Sequence, residues 1–157
     1  FITAGDEFAL DLSAMRARIE EHRSCESSGV WVARGERGAV WGVLFSTGGT
    51  LRRMRHTSKI EVMVRRDARG RGVGSALLRA CVAWADASTV VEKLGLAVFA
   101  DNEKALQLYR KEGFREEGRR LREYRMDDGS YRDDVLMYRY TSESPTASSS
   151  DHSASRR

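Results

Sequence analysis

No apolar run in this sequence approaches the roughly 20 residues a helix needs to cross a bilayer, so no membrane partner is expected. The first segment is acidic and amphipathic, without the charged start and apolar centre of a secretory signal. Cysteine is scarce, with only Cys25 and Cys81, which argues against a disulfide framework and for a reducing, cytoplasmic setting. The three histidines, His22, His56 and His152, form no Cys/His cluster with zinc-ligand spacing, and no twelve-residue calcium loop is present, so no metal is expected. A nucleophilic triad pattern is missing as well. The formal charge is +4 with a pI near 9.3, but positive and negative residues alternate instead of forming a basic block. That mixture suits a solvated surface better than a nucleic-acid arm. Hydrophobic content of 41% and charged content of 32% describe one globular domain able to bury a core.

What is present centres on the string Arg69-Gly70-Arg71-Gly72-Val73-Gly74. It lies between a β-type run, Ile60–Val64, and an amphipathic segment starting at Val73. Strand, glycine-rich turn and helix together make an anion-binding device. Glycines let a ligand approach the backbone and tolerate positive φ. The first helical amides have no intrahelical partner and, with the helix dipole, favour a phosphate. Arg69 and Arg71 add forked donors suited to a pyrophosphate. The string lacks the Gly-Lys-Ser/Thr ending of a Walker loop. Its alternating glycines also depart from the dinucleotide fingerprint, and Asp101 falls later than that fold requires. A glycine-rich surface turn is the bland alternative.

The spacing R-x-x-G-x-G (Arg69, Gly72, Gly74) resembles the GNAT superfamily of acyl-CoA-dependent N-acetyltransferases. A second block agrees: Asn102, Ala105, Leu108, Tyr109, Gly113 and Phe114 match the pattern N-x-x-A-x-x-L-Y-x-x-x-G-F. The likeness covers about residues 29–140, and the closing segment resembles the subgroup that acetylates small amines, amino acids or protein amino groups. The resemblance implies a single α/β (α+β) domain over 1–140. Its mixed central sheet would carry helices on both faces, and two parallel central strands would splay into a V. It implies acetyl-CoA as co-substrate, held at the pyrophosphate by Arg69, Gly70, Arg71, Gly72, Val73 and Gly74. Backbone groups of Met63 and Val64 would pair with the pantetheine arm, and Asn102 would contact it. Tyr109 takes the family position of the general acid. The chain begins at Phe1 and lacks the opening strand and helix that relatives place earlier, which implies a fragment or a trimmed architecture.

Periodicity gives the remaining elements. Leu12, Met15 and Ile19 predict a short helix over residues 9–21. Val30–Ala33 and Val40–Ser46 read as a hairpin around Arg34-Gly35-Glu36-Arg37-Gly38. Residues 47–57 read as a loop or a longer strand end, followed by a strand over 59–65. A helix is expected over 72–87 with Val73, Leu77, Cys81 and Trp84 inward, and Cys81 reads as a small core residue. A buried strand over 94–100 precedes a helix from Asn102 to Glu112, capped at Gly113. Two strands, over 114–126 and 131–140, surround the turn Asp127-Asp128-Gly129-Ser130. Residues 141–157, with seven serines and Pro145 in 142–157, read as a disordered tail.

The general base stays open. Lys59 and Ser58 stand where relatives often have a carboxylate, Glu61 alternates away from the buried face, and His56 lies in the preceding loop. Asn102 is equally readable as a helix cap, and Tyr109 as a packed aromatic. Asp127, Asp128, Asp133 and Asp134 read as solvated acids of a hairpin, although some would face the substrate in an enzyme for cationic amines. Two rivals to an acetyltransferase remain: a CoA-binding module without turnover, and a nucleic-acid-associated protein using its arginine-rich C-terminal strands. The sequence leaves the amine open and is compatible with a homodimer.

Overall fold

Alternating apolar residues from Gly29 to Val64 fold into three antiparallel strands, β1 (Gly29–Arg34), β2 (Val40–Gly48) and β3 (Thr57–Val64). These coordinates are a computed structural model, which describes residues 12–141. The hairpin loop between β1 and β2 closes with Arg37 at φ 55° and Gly38 at φ 79°. Residues 47–57 combine both expectations: β2 runs on to Gly48, and a 3-10 turn at Arg52–Met54 leads into β3. Helix α1 (Leu12–Ser24) continues past its expected end, because His22 is buried. Its ring bonds the Arg18 carbonyl at 2.7 Å and the Thr47 hydroxyl at 2.9 Å. Residues 9–11 of that expected helix, and the tail from 142, lie outside the described residues.

Helix α2 (Val73–Asp86), β4 (Lys93–Phe99), α3 (Glu103–Lys111), β5 (Arg115–Arg125) and β6 (Tyr131–Tyr140) follow. The strands form one mixed sheet in the order β1-β2-β3-β4-β6-β5. One face carries Leu44, Ile60, Leu94, Leu96 and Met137 against Leu78 of α2 and Leu106 of α3, all nearly or fully buried. The Arg139 guanidinium clamps β6 to this layer through both oxygens of Asp86, at 2.9 and 3.0 Å. On the other face α1 packs against β1 and β2, where Arg18 lies 4.2 Å above the Phe45 ring. Helices therefore occupy both faces, as the sequence implied.

The central feature is how briefly β3 and β4 touch. They are parallel and pair at Thr57↔Lys93, Ser58↔Leu94 and Lys59↔Gly95. Pairing then stops, although β3 continues to Val64 and β4 to Phe99. The V-shaped splay is present, with its open end at the glycine loop. Among the described residues no helix is long and apolar enough to cross a membrane.

Candidate active site

The glycine loop sits at the open mouth of the V. Gly70 and Gly72 adopt φ of 74° and 80°, a region where side chains with Cβ are strained, and no heavy atom lies within 4 Å of a Cβ built on either. The space a side chain would fill is open at both. The Ala76 N–H closes the first turn of α2 on the Gly72 carbonyl at 3.0 Å. The amides of Val73, Gly74 and Ser75 therefore have no intrahelical acceptor. Gly74 does something else: a Cβ there would meet Leu108 at 3.2 Å and Val64 at 3.8 Å, so this glycine lets α2 pack against α3 and β3. Val73 is buried and anchors the helix start.

The arginines are engaged within the chain. Arg69 Nε donates to the Val64 carbonyl at 3.3 Å, bridging loop and strand. The Arg71 guanidinium stacks 4.1 Å over Trp41. Arg65 forms a two-pronged pair with Asp67, both bonds 2.6 Å, which holds that carboxyl below its usual range. A cleft of about 640 Å³ lies beside the loop, lined by Trp41, Val43, Met63, Arg66 and Arg69 among others.

Which main-chain groups face the gap follows from hydrogen-bond alternation. Arg65 N–H donates to the Trp41 carbonyl at 2.8 Å, and Gly49 N–H to the Thr57 carbonyl at 3.0 Å. Bonded positions alternate along an antiparallel strand, so Thr57, Lys59, Glu61, Met63 and Arg65 turn their backbones to β2. Ile60, Val62 and Val64 turn theirs to the gap. Of the two expected arm-pairing positions, Val64 faces the V and Met63 does not, because its main chain is taken by β2. Val62 also turns its backbone to the V, a position the sequence reading does not offer for the arm. The signal was available: residues whose side chains enter the α2 face are those that turn their backbones toward β4.

Tyr109 lies on α3 beside Phe114, ring centroids 6.0 Å apart, and burial raises its phenol above the usual value of 10.0. Its hydroxyl makes no hydrogen bond to another described residue. Asn102 acts as the helix cap, its Oδ1 accepting from Ala105 N–H at 3.3 Å. Gly113, at φ 89°, closes the other end of α3.

The base candidates fare unevenly. His56 is exposed and precedes β3 at the closed end of the V, where its carbonyl accepts from Glu92 and Lys93. Glu61 pairs with Arg18 at 2.9 Å on the α1 face. Ser58 is buried against Ser46 at 2.6 Å, and Lys59 is exposed. Cys81 is fully buried, its thiol pushed up to about 12 by burial. Among the described residues no three His, Cys, Asp or Glu side chains converge as metal ligands would. The four aspartates separate. Asp127 and Asp128 are exposed in the turn, while Asp134 is 1% exposed, so the expectation of a solvated acid fails for Asp134.

With this geometry in place, the comparisons decide the family. The model of the Acetyltransferase (GNAT) family matches residues 6–114. This chain belongs to the GNAT family. An L-amino acid N-acetyltransferase, AaaT, of Escherichia coli strain K12 is 34% identical over 87 residues, 55% of this chain. That stretch is 53% of AaaT, so the chain spans about half the length of this curated relative. A GNAT acetyltransferase from Streptococcus pneumoniae superposes with a TM-score of 0.83 at 27% identity, covering 89% of this chain and 84% of that one. A phosphinothricin acetyltransferase from Sinorhizobium meliloti, solved with acetyl-CoA, gives 0.81 at 22% identity over 96% and 80% of the two chains. At that identity the likeness is one of GNAT fold.

Proposed function

We propose that this GNAT chain transfers the acetyl group of acetyl-CoA to a primary amine of a small molecule or protein. The observation that carries the proposal is the V itself, with gap-facing main-chain groups on β3 beside a loop of helix amides that lack intrahelical acceptors. The amides of Val73, Gly74 and Ser75, with Arg69 and Arg71 turned outward from their present contacts, would hold a pyrophosphate. The gap-facing backbones of Val62 and Val64 would align a pantetheine arm, a chain rich in amides that pairs as a third strand would. Resemblance to an enzyme solved with acetyl-CoA supports the choice of co-substrate.

In the reaction the amine first loses a proton to water, and its nitrogen forms a bond to the thioester carbonyl carbon as the carbon–sulfur bond breaks. The nitrogen's remaining surplus proton also leaves to water, from which Tyr109 is later reprotonated. The Val64 N–H points into the gap and would stabilise negative charge developing on the carbonyl oxygen. The Tyr109 hydroxyl would give its proton to the departing sulfur, and its raised pKa keeps that proton in place across the physiological range. No covalent enzyme intermediate is needed. The test is appearance of free CoA thiol when the protein meets acetyl-CoA and an amine panel. Binding of CoA with no thiol release above background for any amine would mark a non-catalytic module.

A further inference from the structure

Helices α2 and α3 lie on one face of the sheet, so a co-substrate bound at the start of α2 presents its thioester through the V toward the opposite face. On that face β4 and β6 carry Phe99 and Asp134, direct neighbours in register. Counting outward from the last β3–β4 pair, Lys59↔Gly95, Phe99 lies level with Met63, where the V is widest. Asp134 thus sits one strand beyond the gap at the level of the expected chemistry.

Its surroundings are unusual. Asp134 is 1% exposed, and neither carboxylate oxygen has a hydrogen-bond partner. The nearby cations are spent elsewhere. Arg120, directly opposite on β5, gives Nη1 to Glu123 at 3.0 Å. Arg122 lies 4.1 Å over Tyr131, and Arg132 pairs with Asp101 at 3.5 Å. Even the local backbone bypasses it: Arg122, held at φ 53° in a bulge, donates its N–H to Asp133 at 2.7 Å. The Tyr124 hydroxyl lies near enough to draw the carboxyl down without completing a hydrogen bond, and its ring packs edge-on against Phe99 at 5.2 Å. A buried carboxylate with no donor is costly, and such groups in native proteins call for a missing partner.

We propose that the missing partner is the cationic amine of the acceptor, bound as an ammonium by Asp134 with the rings of Phe99 and Tyr124 around its carbon chain. The proposal rests on the acetyl-transfer reading for its orientation, but the binding site can be tested apart from turnover. An ammonium supplies three donors to a carboxylate that has none. Aromatic walls suit a cation and its apolar chain alike. Acceptors lacking a positive charge would leave Asp134 as it stands and bind poorly.

The experiment is a titration of the isotope-labelled chain with n-butylammonium chloride, and with n-pentanol as a neutral counterpart, read by amide NMR. The expected result is saturable shifts at Phe99, Tyr124 and Asp134 with butylammonium alone, and affinity lowered at least tenfold in Asp134→Asn. Asp134→Ser, read in the same way, serves if the first variant loses its native spectrum. No saturable shift at those residues, or a loss below tenfold in a folded variant, overturns the proposal. Adding acetyl-CoA and measuring N-butylacetamide separates the two readings. Binding without product leaves the site standing and sinks the transfer reading. Product formed with unchanged kcat/KM in Asp134→Asn keeps the transfer reading and sinks the role of Asp134.

Discussion

Two residues carry the sharpest expectations. Tyr109→Phe preserves the ring against Phe114 and removes only the proton donor, so turnover should fall about 10²-fold or more while acetyl-CoA affinity stays level. Steady-state kinetics beside calorimetric titration checks both, and turnover within threefold of the parent removes Tyr109 from the mechanism. Since burial raises the phenol, loss of its proton should not bend the alkaline limb of the rate profile below pH 10. Asp134→Asn should affect stability in the opposite direction from function. Its carboxyl is raised by burial, with Arg120 and Tyr124 opposing and Glu123 reinforcing. A carboxyl whose folded value exceeds the unfolded one destabilises the fold when ionised, and that cost vanishes as pH falls below the unfolded value of about 4. The variant should therefore melt higher than the parent at pH 7, with the gain lost near pH 3. Thermal scans at the two pH values decide it.

At the level of elements, the strand, glycine turn and helix around Arg69–Gly74 were legible because composition and periodicity agreed there. The structure divides the loop's labour further. Gly70 and Gly72 serve the open backbone, whereas Gly74 serves packing against Leu108, which no spacing rule distinguishes. Gly72→Val should leave the fold nearly intact, at a strain cost of about 1–3 kcal/mol, yet abolish CoA binding by calorimetry. Retained micromolar affinity would remove the loop from the site. The resemblance offers Met63 and Val64 together, but hydrogen-bond phase, which depends on the register with β2, turns the Met63 backbone to β2 and the Val64 backbone to the gap. The sequence groups Asp134 with Asp127, Asp128 and Asp133 as hairpin acids, some of which would face a substrate, and only the strand pairing that sets it between Phe99 and Arg120 singles it out. Amide exchange offers the matching test on β3. Glu61 and Met63 should be protected in the free protein, while Val62 and Val64 should become protected only when CoA is added.

For the molecule as a whole, the family and its splayed, mixed sheet followed from two motif blocks in the right sequence, while the strand order and the proposed acceptor side did not. The proposed acceptor face joins β4 to the later β5–β6 hairpin, and Phe99, Tyr124 and Asp134 share no local pattern in the sequence. A ligand that occupies the V should raise the melting temperature through mass action alone. At 100 times its dissociation constant the gain is about 2.7 kcal/mol, or roughly 5–10 °C for a domain of this size. Scanning calorimetry with and without CoA measures it, and no shift at saturation would place the ligand elsewhere.

The three residue pairs that join β3 to β4 carry a mechanical meaning. Among the described residues they are the ladder that joins two half-sheets, β1-β2-β3 and β4-β6-β5, at the closed end. A bound arm spanning the opposite end would work as a keystone, stiffening both leaves at once. Each round of product departure would then loosen the joint it had locked.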